Sequence, residues 1–177
     1  MENNLTDFMG AFYYGYSSSD ADWGDTTYEG PFKETVQLKA GSLEDAIIKL
    51  GEERTRFIDS KNDRDANYYH KPTGEAELSV GNDVVYKDSW RRFTIHCVEE
   101  VSDAFDAFEH YNALPPKSVY AEDSLVASEK VRMQLQSAVD ETRRLGGYTS
   151  GSFVVRTEKI LDGVGRIVLE NDLRRSG

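Results

Sequence analysis

Phe32-Lys-Glu-Thr-Val-Gln-Leu-Lys39 alternates apolar and polar residues, and Ser42-Leu-Glu-Asp-Ala-Ile-Ile-Lys-Leu50 follows it almost at once. In the first segment Phe32, Val36 and Leu38 point one way while Lys33, Thr35, Gln37 and Lys39 point the other. A period of two with one wet face marks a strand of an antiparallel sheet. In the second segment the period lengthens to that of a helix. Leu43, Ala46, Ile47, Leu50, Phe57 and Ile58 form an apolar stripe, and Glu44, Glu52, Glu53, Arg56 and Asp59 lie opposite. Ser42 stands at the N-cap with Asp45 three residues on, a capping-box arrangement in a shorter acid. The helix is expected to end near Ser60, before the polar stretch Lys61 to Gly74.

Upstream, Phe8 to Tyr16 reads as a strand with Phe8, Phe12, Tyr14 and Tyr16 on one face and Gly10 as a break. Ser17 to Pro31, rich in Ser, Asp, Gly and Thr, reads as a loop. Downstream, Glu75 to Val80 and Val84 to Lys87 flank the turn signal Gly81-Asn82-Asp83. Trp90 to Val98 is a longer strand with Phe93, Ile95 and Cys97 on one face. A short helix is expected from Ser102 to Asn112, burying Phe105 and Phe108, and Pro115-Pro116 separates it from a longer one, Glu122 to Leu145. The stripe of that longer helix is Val131, Leu135, Ala138, Thr142 and Leu145. Glu122 and Asp123 at its start and Arg143 and Arg144 at its end suit the helix dipole, and Gly146-Gly147 stops it. Ser152 to Lys159 and Arg166 to Glu170 close the chain as a hairpin around Asp162-Gly163.

Strands therefore come in neighbouring groups, without strict βαβ alternation. The expected class is α+β: a largely antiparallel sheet with helices packed on one face. No internal repeat or linker is visible, so residues 1–177 read as a single domain, with Pro115-Pro116 the sole candidate boundary. A chain of this length hides roughly 70% of the surface that its unfolded form exposes.

Charge is the strongest functional signal. The net charge is −11, and it is unevenly spread. Met1 to Asp88 holds 18 acids and nine Lys/Arg, a net of −9, whereas Ser89 to Gly177 holds 14 acids and 12 Lys/Arg, a net of −2. The first 32 residues carry six acids and eight aromatics but no Lys, Arg or His. Such a field repels nucleic acid and anionic membranes and draws in basic proteins. Tyr and Trp rings supply anchoring area, and carboxylates supply steering. The candidate partner-binding residues are accordingly Tyr13, Tyr14, Asp20, Asp22, Trp23, Asp25, Tyr28 and Glu29. Glu99, Asp103 and Asp106 join them as an acidic stripe, with His110, on the short helix expected from Ser102. Residues four apart on a helix are separated by about 6 Å of rise, close to the spacing of phosphates along a DNA strand.

Catalytic and metal signatures are weak. Asp20-Ala21-Asp22-Trp23-Gly24-Asp25 fails the calcium-loop pattern, because Gly24 falls at position 5 and Pro31 at position 12. His70, His96, Cys97 and His110 lack zinc-ligand spacing, and adjacent His96 and Cys97 face opposite sides of a strand. Cys97 reads as a core residue. The Gly-rich run Gly146 to Ser152 follows a helix and precedes a strand, the wrong order for a phosphate loop. Arg91 or Arg92, Thr149-Ser150 and Glu170 or Asp172 follow the loose residue order of ADP-ribosyl transfer, and no catalytic residue is assigned from it.

The leading expectation is a non-enzymatic inhibitor or antagonist of the DNA-mimic, immunity or anti-defence type. It would occupy a basic surface of a partner protein such as a nuclease or nucleic-acid-binding complex, without binding nucleic acid, membrane, cofactor or metal itself. The alternatives are an assembly component, viral or oligomeric, whose aromatic N-terminal strand, with Tyr68 and Tyr69, self-associates, and a small enzyme with an unrecognised site. One cysteine excludes an intrachain disulfide, the N-terminus lacks a secretory pattern, and no apolar run reaches membrane-spanning length, so a cytoplasmic location is expected.

Overall fold

The computed structural model describes residues 4–19, 26–64, 67–102, 109–146 and 152–173. The chain divides into two compact units, Met1–Ser89 and Trp90–Gly177. Among the described residues, each holds one five-stranded sheet and one 22-residue helix. The α+β class and the antiparallel pairing follow the sequence expectation, but the strands are shared between two sheets. Pro115-Pro116 is not a boundary, because the strands on either side of it pair with the same neighbour. The division falls instead beside Ser89, one residue from the point where the acidic half of the chain ends.

In the first unit β1 (Thr6–Ser19) is the central strand. It pairs on one side with β2 (Thr26–Ala40), which runs into α1 (Leu43–Arg64). On its other side it meets two strands in succession: β3 (Tyr68–Pro72) along Tyr14 to Ser18, and β4 (Glu77–Val80) along Met9 to Ala11. The two-residue turn Gly81-Asn82, with Gly81 at φ +60°, joins β4 to the edge strand β5 (Asp83–Lys87). Phe8, Phe12, Leu38 and Leu78 from the sheet close on Ala46 and Leu50 of α1. The Ser42 hydroxyl accepts from the Asp45 N–H at 3.1 Å, as a cap should.

Gly10 has a different role from the strand break read in the sequence. A Cβ there would lie 2.7 Å from Leu50 Cδ1 and 3.0 Å from Val36 Cγ1, so α1 rests directly on this glycine. Gly10→Ala is expected to lower stability by about 1–3 kcal/mol, the usual cost of overpacking. A denaturant midpoint equal to the parent's would show that α1 does not bear on it.

In the second unit β6 (Arg91–Ser102) is central. It pairs on one side with β7 (Glu109–Ala113) and β8 (Lys117–Ala121) in succession. Then come α2 (Ser124–Leu145), β9 (Ser152–Leu161) on the other side of β6, and the edge strand β10 (Ile167–Glu170). Asp123 caps α2, its Oδ1 accepting from the Val126 N–H at 2.8 Å. The buried side of α2 follows Ala127, Val131, Leu135 and Val139, steps of four. The expected stripe is corrected beyond Leu135, since Ala138, Thr142 and Leu145 face solvent. The step of three from Leu135 to Ala138 carries that reading off the buried side.

The two units share one connectivity: a long central strand, its partner on one side, a helix, its partner on the other side, and an edge strand. In the first unit the later partner is split in two, and in the second the earlier one is. No repeat was legible because the likeness lies in the order of connections and not in residues. Each helix also sends an amide to the strand that follows it. Asn62 Oδ1 accepts from the His70 N–H at 2.6 Å while its Nδ2 donates to His70 O at 3.0 Å. Gln136 Oε1 accepts from the Val155 N–H and its Nε2 donates to Phe153 O, both at 2.8 Å. Backbone groups at two strand edges are thereby satisfied by a side chain.

Three strand expectations are corrected. Ser17 to Pro31 is not a loop throughout, because β1 continues to Ser19 and β2 begins at Thr26. Within Lys61 to Gly74, α1 runs on to Arg64 and β3 follows. The helix expected over Ser102 to Asn112 is contradicted at both ends: Ser102 closes β6 and Glu109 to Asn112 lie in β7, while residues 103–108 lie outside the described residues.

Candidate functional site

The aromatic residues of the first unit gather at one end of the β2-β1-β3 ribbon, and a bulge organises them. Tyr14 faces Phe32 and Tyr16 faces Glu29, so Gly15 alone stands opposite Gly30 and Pro31. Gly30 takes φ +134°, open in practice to glycine alone, and a Cβ there would come 2.9 Å from Gly15 Cα. A bulge shifts which side chains reach each face. Beyond it the strands carry rings on both faces.

On the face that packs α1, Tyr14 contacts Phe57 edge-on at 5.0 Å between ring centroids and Phe32 at 5.6 Å. Tyr16 stacks on Phe32 at 5.7 Å and meets Tyr68 edge-on at 5.2 Å. His70, 8% exposed, closes this layer against Tyr14 and Tyr16. The Tyr16 hydroxyl donates to Glu29 Oε2. That bond, and the carboxylate charge beside it, raise the phenol above its ordinary range. Glu29 is therefore engaged within the chain.

On the opposite face the Tyr28 ring lies across Gly15, where a Cβ would come 2.7 Å from Tyr28 Cζ. Lys71 Nζ stands 5.7 Å from the centre of the same ring. Tyr13, Tyr28 and Pro31 line a hollow of about 430 Å³ with Thr73, Glu75, Glu77 and Lys87 at its margin. Tyr28 is 48% exposed, Phe32 39%, Tyr68 41% and Tyr69 65%, so the end of the ribbon shows apolar rings on both sides.

Of the sequence candidates, Tyr13 and Tyr28 share one hollow, while Tyr14 and Glu29 belong to the other face. Asp20, Asp22, Trp23 and Asp25 lie outside the described residues, as do Asp103 and Asp106. Glu99 is not on a helix: Glu99 and Glu100 are neighbours in β6 and face opposite sides of the sheet. Glu99 is 8% exposed and accepts from Arg143 Nη2 at 2.8 Å, with the Arg143 guanidinium over the Phe153 ring. Glu100 pairs with Arg156. Phe32, Gly15, Gly30 and Lys71 were absent from the sequence candidates, and the pairing register that unites them has no local signature.

The second unit holds a hollow of about 570 Å³ where residues 171–173 pass beside Val98, Tyr111 and Ala113, with Glu158, Glu170 and Asp172 around it. Arg91 and Arg92 line a different hollow, beside Asp123 and Asp162. Thr149-Ser150 lie outside the described residues, and the hollow lined by Arg91 and Arg92 is not the one lined by Glu170 and Asp172. Among the described residues no group of His, Cys, Asp and Glu is arranged to hold a metal ion. No described helix is long and apolar enough to cross a membrane.

Cys97 is 1% exposed, and burial pushes its thiol up. It is expected to resist a disulfide reagent in the native protein and to react fully in denaturant. Rapid native labelling would contradict its placement in the core of the second unit.

Comparison of the chain with protein-family models, with curated proteins and with solved structures finds no match.

Proposed function

We propose that this chain is a non-enzymatic binding protein, an inhibitor or antagonist that seats the aromatic end of its first sheet on a basic surface of a partner protein. The carrying observation is four rings at one end of three paired strands, all more than a third exposed: Phe32 and Tyr68 on the face that packs α1, and Tyr28 and Tyr69, both across from Ser17, on the other. Half-exposed rings on a rigid support have the character of binding anchors, since they desolvate on contact at little conformational cost. The net charge of −9 on the same unit supplies long-range steering toward a basic partner. A nuclease or other nucleic-acid-binding assembly is the partner class that this field suits. The chain itself is expected not to bind nucleic acid, since phosphate affinity depends on Lys and Arg. Glu99 lies in a strand and Asp103 and Asp106 lie outside the described residues, so the reading rests on rings and overall field. A cytoplasmic setting belongs to the same proposal, because a chain with one cysteine has no internal disulfide to rely on.

Affinity purification from the native cell, with identification of what is retained, tests this. A basic protein lost from the Phe32→Ser/Tyr68→Ser variant is the expected result, and retention unchanged by that variant would overturn the assignment. The second reading, self-association through the same rings, is favoured by Lys71 and Lys61, which stand over Tyr28 and Phe57 and make the described ring surface locally less acidic. It predicts oligomers that the same double variant abolishes.

A further inference from the structure

We propose that β10 is the seam of a two-fold homodimer in which the second units of two copies join into one continuous antiparallel sheet. This inference stands apart from the partner-binding reading, which concerns the first unit.

The observations are local. Among the described residues, β10 is the outermost strand of its sheet and pairs with β9 alone. All four of its residues are exposed, and Ile167 is 57%, Val168 48% and Leu169 37% accessible. An apolar edge with unpaired backbone groups is a template for another strand, and proteins normally guard such edges with proline, lysine or a charge pointing inward. The edge strand β2 of the first unit has that protection: Gly30 and Pro31 bulge it, and Lys33 and Lys39 stand exposed along it. Between Arg166 and Glu170, β10 has none.

The sequence Arg166-Ile-Val-Leu-Glu170 is complementary to itself when reversed. An antiparallel pairing centred on Val168 sets Val168 against Val168 of the second copy and Ile167 against its Leu169. The same register sets Arg166 against the second copy's Glu170, and two-fold symmetry repeats that pair on the other side. Opposite charges directly across an antiparallel pair stabilise it, and like charges there oppose it. Neither the Arg166 nor the Glu170 side chain has a hydrogen bond or ion pair among the described residues. Val168 is also the extra residue between the Ile167–Leu161 and Leu169–Ile160 pairs, so it has no partner across in β9. The occupant is a second copy rather than an unrelated strand because the edge supplies both members of each charge pair, as an isologous contact requires. Copies meet here with least repulsion, the second unit carrying a net of −2 against −9 for the first.

A seam of one short strand implies weak association, so sedimentation of the full chain should run from micromolar to near-millimolar concentration. A reversible dimer is expected. Arg166→Glu and Glu170→Arg should each weaken it about tenfold, since each places like charges opposite one another twice. The double variant should return close to the parent, because the pairs are restored with exchanged signs. Independently, Val168→Cys should give a disulfide-linked dimer on mild oxidation, since residues opposed across an antiparallel pair have Cα atoms roughly 4.5–5.5 Å apart, within disulfide reach. Val164→Cys, 78% exposed in the preceding turn and off the two-fold axis, should not. A chain monomeric throughout, single variants that associate like the parent, a double variant that fails to recover, or equal cross-linking at both positions would each overturn the proposal.

Discussion

Val131→Asp is expected to remove hydrogen-exchange protection from residues 90–177 while residues 1–89 keep theirs. Val131 is fully buried, in the middle of α2, and packs within a cluster of Phe93, Ile95, Cys97, Ala127, Val155 and Ile160. Nothing in that cluster can pair with a carboxylate. Burying an unpaired charge costs several kcal/mol, about as much as a small unit has to lose. The buried residues of the two units form separate clusters. Damage to one cluster should therefore open one set of strands, as sub-global unfolding does. Protection lost evenly along the whole chain would show that the division at Ser89 is not a division in stability.

Phe12→Ala should act on the other unit. Phe12 is 1% exposed and lies edge-on to Phe57 of α1 at 5.5 Å between ring centroids. Removing a buried phenyl ring costs about 3–5 kcal/mol, through lost transfer energy and the cavity left behind. The effect should reach the aromatic end of the ribbon, because Phe57 also supports Tyr14, which packs on Phe32. Denaturant melts of this variant should show the loss, and exchange protection should fall along β1, β2 and α1. A loss below 1 kcal/mol would mean that α1 is not anchored through this ring pair.

The sequence made both helices legible. Ser42 and Asp123 mark where they start, and the apolar spacing around Leu50 and Val131 marks how they lie. The strand Phe32 to Lys39 and the turns at Gly81-Asn82 and Asp162-Gly163 were legible for the same reason: each is decided by residues close in sequence. What was missed depends on partners far along the chain. In β3, Tyr-Tyr-His-Lys-Pro, only His70 is buried, and the strand is held by β1 and by Asn62. β8 follows two prolines and shows no alternation, yet it pairs along Arg91 to Ile95. β7 read as helix because acids and phenylalanines at steps of three and four imitate a helical face. The bulge at Gly30-Pro31 interrupts the period of two and disguised the first part of β2 as loop. The division into two compact units has no compositional mark at Ser89-Trp90, although the net charge changes beside it.

The candidate surface shows the same pattern. An excess of tyrosines near the start of the chain was visible as composition, and Tyr13 and Tyr28 do meet in one hollow. That Phe32, Tyr68 and Tyr69 come to the same end of the ribbon, the first two on its other face, follows from register alone. The burial of Glu99 against Arg143 could not be read, because a carboxylate held by an arginine of the same chain is indistinguishable, in sequence, from one that faces solvent.

The most direct test of the binding surface is site-specific photo-crosslinking in the native cell. A photoreactive phenylalanine analogue would be placed at Tyr69, at Tyr28 and, as a control, at exposed Ser137 on α2 of the second unit. The account predicts that the two positions on the aromatic end capture the same basic protein and that Ser137 does not. Capture from Ser137 alone, or equal capture from all three positions, would contradict it.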